Sequence, residues 1–256
     1  MAGSATGSSG AQLRCYPRIV FFGVVAACFG APPSTASAKN RYALEPANVE
    51  AKPAFIYAGM NDEPCLRELD KRKVPYAKEP ETKQVAVPLR LTGKLHGVRF
   101  KMSPRDEKDA EKTSPSAVLD CRLALALDDF AVVLEKHNVV EAEYMSMYRK
   151  RGVGFVKPGK RHPSGRAIDI SSLTFKDGEK LTVFGDWHGR PGSKTCGEGA
   201  AKPTKDTKGA QKLRAIVCDT AEVGPFNLML TPHYDWGHRD HFHFEVRSNI
   251  RWFLIQ

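Results

Sequence analysis

One short stretch restricts the fold more than any other: His241-Phe242-His243-Phe244-Glu245-Val246. Its apolar and polar residues alternate with a period of two, the pattern of a β-strand. Successive side chains on a strand point to opposite faces. Phe242, Phe244 and Val246 therefore pack on one side, and His241 and His243 stand together on the other. His238 precedes them, so three of the eight histidines fall within six residues. Two imidazoles side by side on a rigid strand suit a metal ion, a proton transfer, or both. The plainer alternative is a polar strand face carrying solvated histidines.

The first 38 residues have a different character. Arg14 and Arg18 precede an apolar run from Ile19 to Gly30, and Ala36-Ser37-Ala38 follows. Basic, apolar and small-residue segments in that order make a secretory signal peptide. The run is short for a bilayer span. Val25-Ala26-Ala27-Cys28 resembles a lipobox, and a lipidated Cys28 would anchor the protein to a membrane. Losing residues 1–38 lowers the formal net charge from +10 to +8. A basic exported protein suits an anionic partner such as a cell-wall polymer or a membrane surface, and nucleic acid is not expected in that compartment. Charge kept for solubility alone is the competing explanation. Residues 39–60, with Pro46 and Pro53 and no clear period, read as a linker or extended tail. Residues 61–256 are long enough to bury a core as one domain.

Four cysteines follow the leader: Cys65, Cys121, Cys196 and Cys218. An even number in an exported chain points to two disulfides, for which three pairings exist. Cys65–Cys121 with Cys196–Cys218 is favoured because each bond would tie neighbouring segments. No Cys-x-x-Cys spacing is present, which argues against a zinc–thiolate site.

The clearest helix runs from Ser114-Pro115-Ser116 through Leu119, Leu123, Leu127, Phe130 and Leu134, which recur at helical spacing. A second helix covers Ala210 to Ala221. Strands are expected at 85–91, 98–102, 139–148, 167–170, 173–175, 181–184 and 226–230. Asp177-Gly178 marks a hairpin turn. Residues 188–208 form a long loop, a length that usually carries function.

A second polar cluster is His162-Pro163-Ser164-Gly165-Arg166-Ala167-Ile168-Asp169. Gly165 permits a tight turn that would bring the His162 imidazole back toward the Asp169 carboxylate. A histidine from a distant strand makes three ligands. Three protein ligands leave a fourth position for water, the pattern of catalytic zinc, which lowers the pKa of that water and polarises a carbonyl.

His162-x-x-Gly165-x-Ala167-x-Asp169, followed far downstream by Asp240-His241-Phe242-His243, resembles the zinc signature of the metallopeptidases that group D-Ala-D-Ala peptidases, lysostaphin-type enzymes and hedgehog proteins. The Trp187 region, Leu230-Thr231-Pro232 and His238-x-Asp240-His241-Phe242-His243 are more closely similar to the extensin-like C-terminal domain of bacterial envelope proteins. The histidine spacing also resembles that of penicillin-insensitive murein endopeptidases. The resemblance covers about Cys65 to Arg247. It implies an α+β fold, a small antiparallel sheet with flanking helices, like that of hedgehog and the D-Ala-D-Ala peptidases. It implies Zn2+ held by His162, Asp169 and His243. His241 then matches the catalytic base, and His238 a group that stabilises the oxyanion. Asp240 stands where one branch carries a glutamate base, so it is either an alternative base or a residue that orients an imidazole. Arg149 or Arg151 would hold a substrate carbonyl or carboxylate. Apart from the resemblance, Tyr234 or Trp236 can form a cleft wall, with core packing as the commoner use of such residues, and His233, His96 and His137 match no motif position. The extensin-like pattern carries a cysteine near Tyr148 that this chain lacks, which leaves the disulfide pairing open. The implied activity is that of an exported zinc peptidase acting on peptidoglycan in the periplasm or envelope. A zinc-containing peptidoglycan-binding protein without turnover is the alternative.

Overall fold

The structure is a computed structural model that describes residues 43–44, 48, 51–103, 110–150 and 162–256. The leader 1–38, with Cys28, and Arg151 lie outside the described residues. The alternating stretch forms β10 (Phe242–Glu245), near the middle of the larger of two sheets. β10 runs antiparallel to β7 (Ala167–Phe175) on one side and to β9 (Leu228–Leu230) on the other. Beyond β7 come β6 (Val139–Ser146) and β4 (Arg99–Met102), and β8 (Lys180–Thr182) also pairs with β7. Beyond β9 come β11 (Phe253–Ile255) and β1 (Ala43–Leu44). The smaller sheet is β2 (Tyr76–Lys78), β3 (Pro88–Leu91) and β5 (Leu119–Asp120).

The fold is α+β, but the expected small antiparallel sheet is replaced by an eight-stranded mixed one. β4 pairs β6 in parallel, and β11 pairs β9 in parallel. Both parallel partners are short and non-local, so no hairpin turn announces them.

The phenyl face of β10 is covered by α4 (Cys121–Lys136). Phe130 of α4 meets Phe244 edge to face with ring centroids 5.7 Å apart, and both are fully buried. Burying one such ring contributes about 1.5–3 kcal/mol. α4 begins at Cys121, seven residues later than the sequence pattern suggests. The Asp120 carboxylate caps it, accepting from Arg122 N at 3.1 Å, while Leu119 and Asp120 are drawn into pairing with β3. Ser114 caps only a 3₁₀ turn, Pro115–Ala117. α6 (Lys208–Val223) buries Leu213, Ile216 and Val217, as its periodicity predicts. α5 (Val183–Asp186) replaces the far half of the strand expected at 181–184, because the Thr182 hydroxyl accepts from Gly185 N and starts a helical turn.

Part of the expected linker is also structured. Pro53–Gly59 is a helix, α1, that buries Ala54 and Tyr57. Tyr57 donates to Asp129 of α4 at 2.5 Å, so tertiary contact overrides a weak local pattern. α2 (Asp62–Arg72) follows, and α3 (Ala110–Thr113) is a single turn. Disulfides join Cys65 to Cys121 and Cys196 to Cys218. Among the described residues no helix is long and apolar enough to cross a membrane.

Candidate metal centre

Sheet register builds the centre of the site. His243 of β10 sits directly opposite Asp169 of β7, and Asp169 in turn opposes Ser146 of β6. The third member comes from the turn before β7. Gly165 has φ +65, and a Cβ there would lie 2.8 Å from Asp120 N, so the position needs glycine. Gly165 N donates to His162 O at 3.0 Å and closes the turn. His162 Nε2 then lies 3.1 Å from Asp169 Oδ2. The ligating atoms of His162, Asp169 and His243 all fall within 4.8 Å of one another, and all three residues are buried.

Each imidazole is oriented. His162 Nδ1 stands 3.2 Å from Met147 O, a backbone acceptor on its outer side, and its Nε2 lies on the Asp169 side. His243 Nδ1 is 2.9 Å from Asp169 Oδ1, while its Nε2 faces Glu245 Oε2 at 3.6 Å. A metal-binding imidazole is normally held at its outer nitrogen by a carbonyl or carboxylate. The two histidines and one carboxylate, held in this way, fit a divalent cation that takes nitrogen and oxygen donors.

Burial and charge oppose each other here. Burial disfavours the ionised Asp169, yet hydrogen bonds and charge from His162 and His243 outweigh it and hold the carboxyl far below the usual range. Burial pushes His162 down, more strongly than Asp169 pulls it up. Burial also disfavours charge on His243, but Asp169 and Glu245 raise it above its ordinary value.

His241 and His238 adjoin the cluster. His241 Nε2 approaches Asp169 Oδ1 at 3.6 Å, and its Nδ1 is 2.8 Å from Asp240 Oδ1. The two aspartates therefore differ: Asp169 lies within the cluster and Asp240 sits behind His241. The His238 ring lies 5.2 Å from that of His241 and 5.9 Å from that of His243. Its Nδ1 is 2.7 Å from Asp235 Oδ1, and Tyr234 packs edge-on against it with centroids 5.3 Å apart. Burial lowers the His238 pKa despite Asp235.

Arg149, expected at substrate, instead lies against the ligands. Its Nη2 donates to Asp169 Oδ2 and lies 2.9 Å from His162 Nε2, and its Nε donates to Ser146 Oγ at 2.9 Å. The guanidinium is a positive group placed among atoms that would also serve a cation. Trp187 is buried and packs on Phe242. His233, unassigned from sequence, is fully buried between Thr195 and Arg214, and burial lowers its pKa to about 4. His96 and His137 pair with Asp128 and Asp219, well outside the cluster's contacts.

Sequence reasoning missed Glu245, Asp235 and Ser146. Glu245 follows His243 by two residues, so the strand period alone puts it on the same face. Asp235 precedes His238 by three, the spacing of one tight turn. No curated protein and no solved structure gives a match to this chain. Residues 63–254, three quarters of the chain, match the family described as extensin-like protein C-terminus. Every residue of the cluster lies inside that span, and by this match the chain belongs to the extensin-like C-terminal family.

Proposed function

We propose that this protein is an exported zinc-dependent peptidase of the cell envelope, acting on the stem or cross-link peptides of peptidoglycan. The reading includes a fold kinship with the hedgehog and D-Ala-D-Ala peptidase group. The observation that carries it is the buried His162–Asp169–His243 cluster, in which His162 Nδ1 meets Met147 O, His243 Nε2 faces Glu245, and two further histidines stand alongside. The two disulfides agree with an oxidising compartment.

His162, Asp169 and His243 would hold the ion. When bound, zinc supplies a Lewis acid for the amide carbonyl and for water. Asp240 accepts from His241 Nδ1 and leaves His241 Nε2 as the proton acceptor. His241 takes the proton of the attacking water and returns it to the leaving amine. Asp235 fixes one side of His238, whose ring stands beside those of His241 and His243 as the group that would stabilise the oxygen that gains charge. Arg149, once displaced from the ligand atoms, has a side chain 56% exposed and long enough to meet a substrate oxygen.

The test is digestion of purified peptidoglycan by the protein with and without chelator, read by mass spectrometry of the muropeptides. Release of peptide products that stops with chelator is expected. Alanine at His162 or His243 should remove both bound zinc and cleavage, and retention of both would overturn the proposal. Bound zinc with peptidoglycan binding but no peptide release would assign the protein as a binding module instead.

A further inference from the structure

Beside the histidine cluster lies a cleft of about 160 Å3 to which the proposed chemistry gives no role. Phe184 of α5, His188 and Gly189 of the loop after it, and Trp236 and Arg239 of the turn before β10 line it. Phe184 and Trp236 are 70% and 69% exposed, more than any other large hydrophobic side chain among the described residues. Trp236 and Arg239 flank Gly237-His238 in the chain, so the turn that carries His238 also supplies part of the cleft wall.

The turn that presents these groups is fixed. Asp235 accepts from His238 N, and Arg239 Nη1 donates to Trp236 O at 3.1 Å. Arg239 has no carboxylate partner among the described residues, and no acidic side chain lines the cleft. Trp187 also lines it, and the buried indole N–H of Trp187 makes no hydrogen bond among the described residues. The cleft thus offers two open aromatic rings, a guanidinium without a carboxylate partner among the described residues, and an imidazole around a volume near that of one six-membered ring.

A pyranose has the complementary make-up. Its C–H face is apolar and stacks on an indole, while its substituents are polar and project from the edge. A guanidinium without a counter-charge selects a substituent that carries a carboxylate. The lining comes from a short helix, a loop and a 3₁₀ turn, not from a sheet edge. Main-chain pairing with an extended peptide is therefore not on offer. We propose that this cleft is a saccharide subsite that takes one sugar ring bearing a carboxylate, its apolar face on Trp236 and its carboxylate on Arg239. The physiological source of that sugar rests on the peptidoglycan reading, whereas the binding itself does not.

Intrinsic fluorescence tests this directly, because Trp236 is the exposed one of three tryptophans. The full-length protein is titrated with N-acetylmuramic acid and, separately, with N-acetylglucosamine, which lacks the carboxylate. A saturable change in emission is expected with the first, and binding about tenfold weaker with the second. Trp236→Ala should abolish the signal, Phe184→Ala should weaken binding several-fold, and Arg239→Gln should remove the preference between the sugars. Binding should persist in chelator, so loss of the peptidase proposal would leave this one standing. No saturable change with either sugar would overturn it. So would equal affinities unaffected by Arg239→Gln, or Trp236-dependent binding to anionic lipid vesicles in place of sugar.

Discussion

At Asp169 a carboxylate is fully buried and yet ionised, because His162, His243 and Arg149 surround it with donors. Arg149 supplies the full positive charge among them, which keeps the buried anion paired. The residue that acts through another is Glu245. Its carboxylate, 1% exposed, stands behind the His243 imidazole and helps raise its pKa. Glu245→Gln keeps the volume and removes the charge, so the fold should persist while zinc affinity falls about 10- to 100-fold. Competition against a chromophoric chelator, with circular dichroism as the control for folding, measures both. The ligand triad was legible because its spacing is chemical: glycine between two polar residues, then a His-x-His strand. Asp235 and Ser146 were not, since an aspartate or serine near a histidine has no distinctive pattern until backbone geometry selects it, and the strand period placed Glu245 on the ligand face without marking its role.

The long loop between α5 and α6 has almost no secondary structure, and its order comes from side chains. Thr195 lies 3.1 Å from His233 Nδ1, Arg214 of α6 approaches His233 Nε2 at 3.3 Å, and Cys196 is bonded to Cys218 of α6. Gly189 fits only because it lacks a side chain: a Cβ would be 2.4 Å from Trp187 Nε1 and 2.5 Å from the His233 ring. His233 is buried and lies beside a cation, and its pKa falls to about 4. The folded pKa lies below the ordinary 6.5, so the unfolded chain takes up the proton first as pH falls. The stability it contributes is complete above pH 6.5 and is lost progressively toward pH 4, by up to about 3 kcal/mol. Urea unfolding at pH 7, 5 and 4 should show this slope, and His233→Gln should flatten it. At this scale α6 was legible because its periodicity is long, and β10 because its alternation, though short, is strict. The start of α4 was not, since the same apolar residues continue from β5 into the helix. β11 was not either, being three residues whose partner, β9, lies far off in the chain.

Across the whole molecule, covalent links join segments that the sheets leave apart. Cys65–Cys121 ties α2 to the N-terminus of α4 across 56 residues, and Cys196–Cys218 spans 22. Loop-closure entropy assigns them about 4 and 3 kcal/mol respectively. Replacing Cys65 and Cys121 together by alanine should therefore lower stability by about 4 kcal/mol or less, with thermal melting as the measure. The larger loss is expected for this bond, because it also holds α2 and the buried Arg122, which donates to Met60 O at 2.7 Å and to Asp62 at 2.5 Å. The α+β class and the disulfide framework were readable from the chain. The size and mixed direction of the main sheet were not, because parallel pairing between short distant strands leaves no local mark.

The direct pairing of His243 with Asp169 has a consequence for how this sequence can change over generations. Facing on a strand is a matter of odd and even positions. One residue inserted just ahead of His243 would swing phenylalanine rings onto the ligand face and imidazoles into the hydrophobic interior. Two inserted residues would restore the facing. Length variation in β10 or in the Ala167–Asp169 end of β7 is therefore confined to even steps, and single-residue insertions and deletions should be found in the connecting loops instead.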